Sequence, residues 1–315
     1  MSLLPVELAC RLAALPEERR WLIDGLWSEE AVGIVGGEPK CCKSFLALDI
    51  AVSVAAGTPC LRRFSVPRPG RVLLFAAEDA LHVVRCRIEG IAHAAQQELA
   101  ALDIHVITAP SLRLDLDDHQ QRLTETIDSL RPKLLVLDPF VRLHRRNENA
   151  ADEISPMLAF LRDLQRRFSL AVVVVHHARK SAGGARDGQA LRGSSDFHAW
   201  GDSNLYLRRT GDALTLAIEH RAAPSTSGIP LALTERGPAL ALEVLERAPC
   251  APSTTPPSLT ARIEHALADA ALPLPFEHLR RVCRVRTASL SDALANMRQQ
   301  GRVTKSSAGY ALTET

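Results

Sequence analysis

The 315-residue sequence predicts an α/β fold with a mostly parallel central sheet, followed by a small C-terminal domain. Apolar strands alternate with helical segments over residues 30 to 178. These strands lack the in–out alternation of a half-solvated sheet, and helical crossovers of this length connect parallel strands. A stretch rich in Pro, Ser and Thr near residue 250 then marks a change of composition.

The alternation can be followed element by element. Residues 1–20 predict a short helical lead-in, 31–35 a buried strand, and KSFLALDIAVSVAAG a helix that ends at Gly57. The elements after it are strand 70–79, helix 80–95, strand 104–110, helix 118–131, strand 132–140, helix 154–168 and strand 170–180. After a polar, glycine-rich stretch at 181–195, three segments predict strands in hairpins: DSNLYLRR, ALTLAIEHR and LALTE.

The domain organisation follows from these elements. We predict a core domain over residues 1–248, a linker over 249–258 and a C-terminal domain over 259–315. Three helical segments and then a strand pair, RVTKSS and GYALTE, have the order of a winged helix. Its third helix, opened by Thr287 and Ser289, would occupy the recognition position.

Basic residues cluster in this C-terminal domain. They are Arg280, Arg281, Arg284, Arg286, Arg298, Arg302 and Lys305. Local basicity on a winged-helix pattern favours DNA binding. The alternative is a winged helix that binds protein and carries solvated arginines.

Composition narrows the class of protein. A formal net charge of +2 gives no global basic character, so contact with nucleic acid must be local. Aromatic residues make up 4% of the chain, which argues against an aromatic platform for stacking single-stranded bases. No apolar run is long enough to span a membrane, and the N-terminus lacks a secretory signal. Seven scattered cysteines without a C-x-x-C pair predict reduced thiols and a cytoplasmic location.

The segment GGEPKCCKS almost spells a phosphate-binding loop, G-x-x-x-x-G-K-[ST]. Gly37 is the first glycine, and Lys43 and Ser44 are the last two positions, with Cys42 where the second glycine is expected. Between a strand and a helix, such a loop directs backbone N–H groups at phosphate oxygens. Lys43 would neutralise the β and γ phosphates and Ser44 would hold Mg²⁺. If the backbone at Cys42 has positive φ, a side chain there costs roughly 1–2 kcal/mol.

Polar residues follow the ends of other strands. Asp138 ends KLLVLD, which has the form of a Walker B strand, and would bind Mg²⁺. Glu78 follows LLFAA and can orient and deprotonate an attacking water. Asp79 competes for that role, although it suits the N-cap of the next helix better. Ligands bind beyond the carboxyl ends of strands in open sheets. These residues are therefore expected to converge on one edge of the sheet, the edge formed by the carboxyl ends of the parallel strands.

Two histidines, His176 and His177, end the strand VVVVHHARK. One of them can sense the γ-phosphate through a hydrogen bond and relay its presence to the loop at 181–195. A structural role for both histidines is the alternative.

Taken together, the chain resembles the RecA-like ATPases of the hexameric plasmid-replication helicase RepA group over about residues 19 to 245. The segments that carry the resemblance are GGEPKCCKSFLAL, LLFAAED, LLVLDPFVRLHRRNENAADEI, VVVVHHARK and LRGSSDFHAWGDSNLYLRR. The resemblance implies a RecA-like P-loop core that binds ATP and Mg²⁺. It implies that Glu78 is the catalytic base, Asp138 and Ser44 bind the metal and His177 senses the γ-phosphate. The residues implied to bind nucleotide are Gly37, Glu38, Pro39, Lys40, Cys41, Cys42, Lys43, Ser44 and Phe45.

In that family a neighbouring subunit donates an arginine to the site, and here the sequence departs from the pattern. Near the expected place stands Asp202, in HAWGDS. Arg221 in IEHRAAPS resembles a basic hairpin that completes the neighbour's site, and we select it as the candidate. The other possible donors are Arg192, Arg208 and Arg209.

Three functions follow from these observations. The leading one is an Mg²⁺-dependent ATPase that forms a homo-oligomeric ring, expected to be a hexamer, and acts on DNA as a helicase or helicase-like motor. The second is an ATP-dependent DNA-binding regulator with slow or no turnover, which the altered loop and missing arginine favour. The third is a redox-regulated protein in which Cys41 and Cys42 gate nucleotide access. No membrane partner is expected.

Overall fold

The computed structural model describes residues 6–12, 16, 20–148, 150–177, 195–236, 239–245, 259–270, 272–283, 285 and 287–313. The chain divides into two compact units, Met1–Glu246 and Arg247–Thr315. The predicted linker at 249–258 lies outside the described residues.

The larger unit begins with short elements. Of the predicted helical lead-in, the described part contains a 3-10 helix at Ala9–Arg11. Between the lead-in and the first strand of the main sheet, β1 (Trp21–Ile23) and β2 (Trp27–Ser28) form a small antiparallel hairpin that the sequence did not predict. The Trp27 ring is fully buried and its indole N–H donates to the Ala31 carbonyl at 3.2 Å. The hairpin is thereby fixed beside the first strand of the main sheet.

A nine-stranded sheet forms the centre of this unit. Its strands are β3 (Val32–Gly37), β4 (Val72–Ala76), β5 (Ile104–Val106), β6 (Leu134–Asp138), β7 (Ala171–His177), β8 (Ser203–Thr210), β9 (Ala213–His220), β10 (Thr226–Arg236) and β11 (Ala239–Val244). Across the sheet the order is β11-β10-β9-β8-β3-β7-β6-β4-β5. The strands from β8 to β5 in this order pair in parallel, and β8 to β11 form an antiparallel meander. The predicted mostly parallel sheet is therefore observed, and the meander enlarges it.

Helices cover both faces of the sheet. They are α1 (Lys43–Ala56), α2 (Leu81–Ala94), α3 (Asp117–Leu130), α4 (Ala151–Phe168) and the short α5 (Ser195–Trp200), which the sequence did not predict. Residues of α1 and α2 belong to one hydrophobic cluster, and residues of α3, α4 and α5 belong to the cluster on the other face. Among the described residues, no helix combines the length and apolarity that crossing a membrane would require.

The smaller unit has its own core. It contains α6 (Leu259–Ala268), α7 (Phe276–Cys283), α8 (Thr287–Gln299) and the antiparallel hairpin of β12 (Val303–Ser306) and β13 (Gly309–Leu312). Leu274, between α6 and α7, exchanges two backbone hydrogen bonds of 2.9 Å with Tyr310. The element order is that expected from the sequence, and its interpretation as a winged helix remains a prediction.

Helix α1 carries a fully buried carboxylate. Asp49 accepts hydrogen bonds from the Leu61 backbone N–H at 2.8 Å and from the Arg62 guanidinium at 2.6 Å. Burial raises the pKa of Asp49, and the charge of Arg62 opposes this shift. The pair fixes α1 to the segment before β4, and breaking a buried pair leaves the remaining charge without compensation.

We predict that Asp49→Ala lowers the free energy of unfolding by about 3–5 kcal/mol, because it leaves the Arg62 guanidinium and the Leu61 N–H unsatisfied. Asp128→Ala is the matched control, since Asp128 pairs with Arg131 on the surface and its loss should cost less than about 1 kcal/mol. Urea unfolding of both variants measures the difference. Equal losses would contradict a special role for the buried pair.

Candidate functional site

The loop between β3 and α1 is shaped by a glycine at the end of the strand. Gly37 has φ 153°, and a Cβ atom there would lie 2.3 Å from the Leu207 carbonyl oxygen and 2.7 Å from the Cys41 sulfur. A side chain is therefore excluded at this position. The loop residues 38–42 then lead into α1, which begins at Lys43. This is the strand–loop–helix arrangement that the sequence predicted.

The backbone at Cys42 is left-handed, with φ 65° and ψ 26° at the N-cap of α1. Lys40 also has a positive φ of 64°. The condition under which Cys42 costs roughly 1–2 kcal/mol of strain is therefore met. Both cysteines of the loop are free thiols, and Cys41 is buried, which raises the pKa of its thiol.

Lys43 is the first residue of α1, and its side chain reaches back into the loop. It is 4% exposed, and its Nζ donates to the Glu38 carbonyl oxygen at 2.7 Å. The Cys41 sulfur lies 3.8 Å from the same Nζ. Burial lowers the pKa of Lys43, and the negative charges of Asp138 and Glu78 oppose that effect. The loop therefore wraps around a cation that faces two carboxylates.

Asp138 ends β6 and accepts a hydrogen bond from the Ser44 side chain. Burial is the largest cause that raises the pKa of Asp138 to about 6, and the nearby Asp79 and Glu78 add to it. A hydroxyl and a carboxylate side by side are the oxygen ligands that Mg²⁺ accepts. The residues that the sequence selected for metal binding thus lie in contact and fit that ion.

Glu78 follows β4, and β4 is paired with β6 so that Ala76 lies opposite Asp138. The Glu78 carboxylate is partly exposed and accepts a hydrogen bond from the Arg142 Nε at 3.0 Å. Asp79 does not cap α2, since the N-cap is Ala80 and has no side-chain cap. The Asp79 carboxylate instead pairs with Arg87, so the predicted capping role was wrong.

His177 ends β7 directly opposite Gly37 of β3. Its Nδ1 is buried and has no hydrogen-bond partner among the described residues. Burial is the largest cause that lowers the pKa of His177, followed by the charge of Lys43. The imidazole is therefore neutral near pH 7 and has one unsatisfied nitrogen close to the loop.

The other histidine has different surroundings. His176 is buried, and its ring packs on Phe197 of α5 with centroids 4.3 Å apart. Its Nε2 lies 3.9 Å from Glu148, which also lies 3.6 Å from the Nε2 of His144. The His176 Nδ1 also lacks a hydrogen-bond partner among the described residues, so the two histidines differ in packing: His176 lies against Phe197, which favours a structural role for it.

Arg142, His144 and Glu148 lie in the segment LLVLDPFVRLHRRNENAADEI, but no motif in that segment predicted a role for them. The available signal was a concentration of charged residues directly after an acid-ended strand. Arg142 contacts Glu78, and the other two surround His176.

The remaining loop residues border the site. Glu38 is half-buried, and Pro39 and Lys40 are exposed. Phe45 is half-buried, and the Arg87 guanidinium lies 5.3 Å from the centre of its ring. Arg87 thus connects Phe45 of α1 with Asp79, which follows β4.

Arg221 lies at the opposite edge of the sheet, the edge formed by the amino ends of the parallel strands. Its side chain donates to the carbonyls of Ala199 and Trp200, and its Nη1 lies 3.4 Å from Asp202. Asp202 accepts from the backbone N–H of Val32, the first residue of β3, at 3.3 Å. The structure therefore does not bring Arg221 to the phosphate loop of its own chain. Arg192 and most of the 181–195 loop lie outside the described residues.

The comparisons with known proteins agree with this geometry. A family model described as an AAA domain (AAA_25) matches residues 2–183, which is more than half of the 315 residues. A solved structure described as an ATPase domain matches with a TM-score of 0.53 at 13% identity, covering 70% of this chain and 87% of that chain.

Two further solved structures have the same fold. A DnaB-like replicative helicase, described with its interactions with primase, matches with a TM-score of 0.51 at 14% identity, covering 68% of this chain and 57% of that chain. The RadB recombinase matches with a TM-score of 0.50 at 17% identity, covering 69% of this chain and 92% of that chain. At these identities the likeness is one of fold. The chain belongs to the AAA domain family, and its larger unit has the RecA-like fold of these proteins.

Proposed function

We propose that this protein is an Mg²⁺-dependent ATPase of the RepA type that forms a hexameric ring and acts on DNA as a helicase or helicase-like motor. The observation that carries the proposal is the arrangement of Lys43, Ser44 and Asp138. A buried lysine, a hydroxyl and a buried carboxylate meet where a strand passes through a loop into a helix. That arrangement fits the phosphates and metal of a nucleoside triphosphate.

Each residue has a role in this proposal. Backbone N–H groups of residues 37–45 and the Lys43 ammonium bind phosphate oxygens, and Ser44 with Asp138 holds Mg²⁺. The metal would neutralise the charge that develops on the transferred phosphoryl group. Glu78 orients and deprotonates the attacking water, and the neutral His177 donates or accepts a hydrogen bond at the γ-phosphate.

The ion pair with Arg142 determines whether the Glu78 carboxylate is free to bind a water. The Arg142 Nε lies 3.0 Å from the Glu78 carboxylate, in a pair whose side chains are 61% and 42% exposed. An exposed ion pair of this kind is weak and easily exchanged for other partners. Glu78 is therefore available for a water once nucleotide and a neighbouring subunit are present.

Arg221 is our candidate for the arginine donated to the neighbouring subunit. Its position on the edge opposite the phosphate loop supports this role, because it cannot act on its own loop. Its pairing with Asp202 also places a guanidinium beside the position where the family has its arginine. Hydrolysis at subunit interfaces follows from this assignment.

The smaller unit is the proposed DNA-binding winged helix. The pairing of Leu274 with Tyr310 supports it by adding a third strand segment to the hairpin. Arg280 and Arg302 pair with carboxylates, whereas Arg281 and Arg298 are exposed and have no partner among the described residues. The loop at 181–195 is proposed to couple the γ-phosphate to DNA in the larger unit.

Two observations favour the second function, a DNA-binding regulator with slow turnover. Cys42 introduces strain directly before Lys43. Asp202 stands near the place where the family has an arginine, and it is already paired with Arg162 as well as Arg221. Turnover measurements separate this function from the motor.

We expect the wild-type protein to hydrolyse ATP in the presence of Mg²⁺ and to do so faster when single-stranded or duplex DNA is added. Lys43→Ala should abolish turnover, because it removes the charge that binds the phosphates. Phosphate release measured with and without DNA checks this. Tight ATP binding without turnover would exclude the motor and favour the regulator.

We expect Mg²⁺-dependent nucleotide binding to weaken as the pH falls through about 6, because protonated Asp138 no longer binds the metal. Titration of Mg²⁺·ATPγS at pH 7.5 and pH 5.5 tests this. Asp138→Asn is the control and should be weak at both pH values, which separates Asp138 from protonation of the nucleotide.

The same raised pKa predicts an effect on stability. The folded protein holds the Asp138 proton more tightly than the unfolded chain, so ionisation of Asp138 costs stability as the pH rises from about 4 to about 6. Asp138→Asn should therefore have the higher Tm at pH 7.5 without Mg²⁺. A lower Tm for the variant would contradict the assigned environment.

Subunit mixing tests Arg221. Arg221→Ala and Lys43→Ala should each be inactive, and mixing them should restore part of the turnover, because some interfaces combine an intact loop with an intact arginine. Mass photometry with ATP and Mg²⁺ should detect the ring. A monomer under all conditions, or mixtures without recovery, would contradict the interface arginine.

A further inference from the structure

Arg209, unlike Arg221, lies at the phosphate loop of its own chain. Strand β8 runs parallel to β3, with Leu207 opposite Gly37. Arg209 comes two residues later and therefore extends past the end of β3, at the edge of the sheet where the loop begins. Its Nη2 donates to the Cys42 sulfur at 3.5 Å.

The Arg209 guanidinium is otherwise available. It is exposed, and among the described residues the Cys42 sulfur is its only polar partner. Four other arginines of this unit, by contrast, pair with carboxylates: Arg62 with Asp49, Arg87 with Asp79, Arg142 with Glu78 and Arg162 with Asp202. A thiol is a weak acceptor, so it directs the guanidinium without compensating its charge.

The surroundings of this cation favour an anion. Cys42 precedes Lys43 and is the N-cap of the 14-residue helix α1, whose first backbone N–H groups carry partial positive charge. A planar guanidinium beside these groups matches the geometry of phosphate oxygens and can bind two at once.

We propose that Arg209 binds the phosphate groups of the nucleotide held by the loop of its own chain. This inference rests on the proposed nucleotide site and extends it with a residue that acts in cis. It differs from the role of Arg221, which lies at the opposite edge of the sheet.

Equilibrium binding of mant-ATP with Mg²⁺ tests the inference without any need for turnover. Arg209→Ala should weaken binding by about 10- to 100-fold, the loss expected for hydrogen bonds to a charged group. Arg122→Ala should bind like the wild type, because it removes an exposed arginine from α3 on the other face of the sheet. Equal affinities for the wild type and Arg209→Ala would overturn the inference. A wild type that does not bind would instead refute the nucleotide site.

Subunit mixing then decides between action in cis and in trans. If Arg209 acts on its own chain, mixing Arg209→Ala with Lys43→Ala at an ATP concentration that does not saturate Arg209→Ala gives no more turnover than Arg209→Ala alone, since neither chain has both a working loop and its arginine. Recovery comparable to that of the Arg221→Ala mixture would overturn the cis assignment. Circular dichroism spectra and melting curves that match the wild type establish that Arg209→Ala is folded.

Discussion

The close approach of β8 to β3 is the constraint on which the rest of the site depends. A Cβ atom on Gly33 would lie 1.7 Å from the Ser203 carbonyl oxygen, and one on Gly37 would lie 2.3 Å from that of Leu207. Both contacts are with backbone atoms of β8, so neither can be relieved by a side-chain rotation. Glycine at these positions lets β3 lie between β7 and β8 in parallel register.

That register determines which residues surround the phosphate loop. His177 lies on one side of Gly37 because β7 ends there, and Arg209 lies on the other side because β8 continues past it. Asp138 ends β6, the strand next to β7 in the sheet, and accepts a hydrogen bond from the Ser44 side chain of α1. The edge of the sheet thus gathers a buried lysine, a buried carboxylate and a neutral imidazole whose properties depend on burial as much as on residue type.

The opposite edge is arranged differently. Asp202 bonds to the first residue of β3 and pairs with Arg162 and Arg221, which neutralises its charge. A carboxylate at position 202 can form ion pairs with both Arg162 and Arg221, whereas an arginine at that position would repel them. The chain therefore carries cations at both edges of one sheet, and Arg209 and Arg221 have separate proposed tasks on the same kind of ligand.

The alternating apolar strands, the loop and the acid-ended strands were enough to predict the sheet and the edge on which Lys43, Ser44, Glu78, Asp138 and His177 meet. The sequence also indicated that Cys42 would be strained if its φ were positive, because the motif has a glycine at that position. The contacts of Asp79 and Arg209 could not be predicted, since they depend on which side chains from distant segments meet. The same holds for the environment of Glu148, where His144 and His176 come together only in the fold.

The central claim is that GGEPKCCKS is a working phosphate-binding loop despite Cys42. Isothermal titration calorimetry of Mg²⁺·ATPγS into wild type, Cys42→Gly and Lys43→Ala tests it most directly. We predict saturable binding to the wild type and loss of binding in Lys43→Ala. The affinity of Cys42→Gly should lie within about tenfold of the wild-type affinity, because the strain of roughly 1–2 kcal/mol at Cys42 is present with and without nucleotide. Saturable binding that appears only in Cys42→Gly, or that survives in Lys43→Ala, would contradict the account.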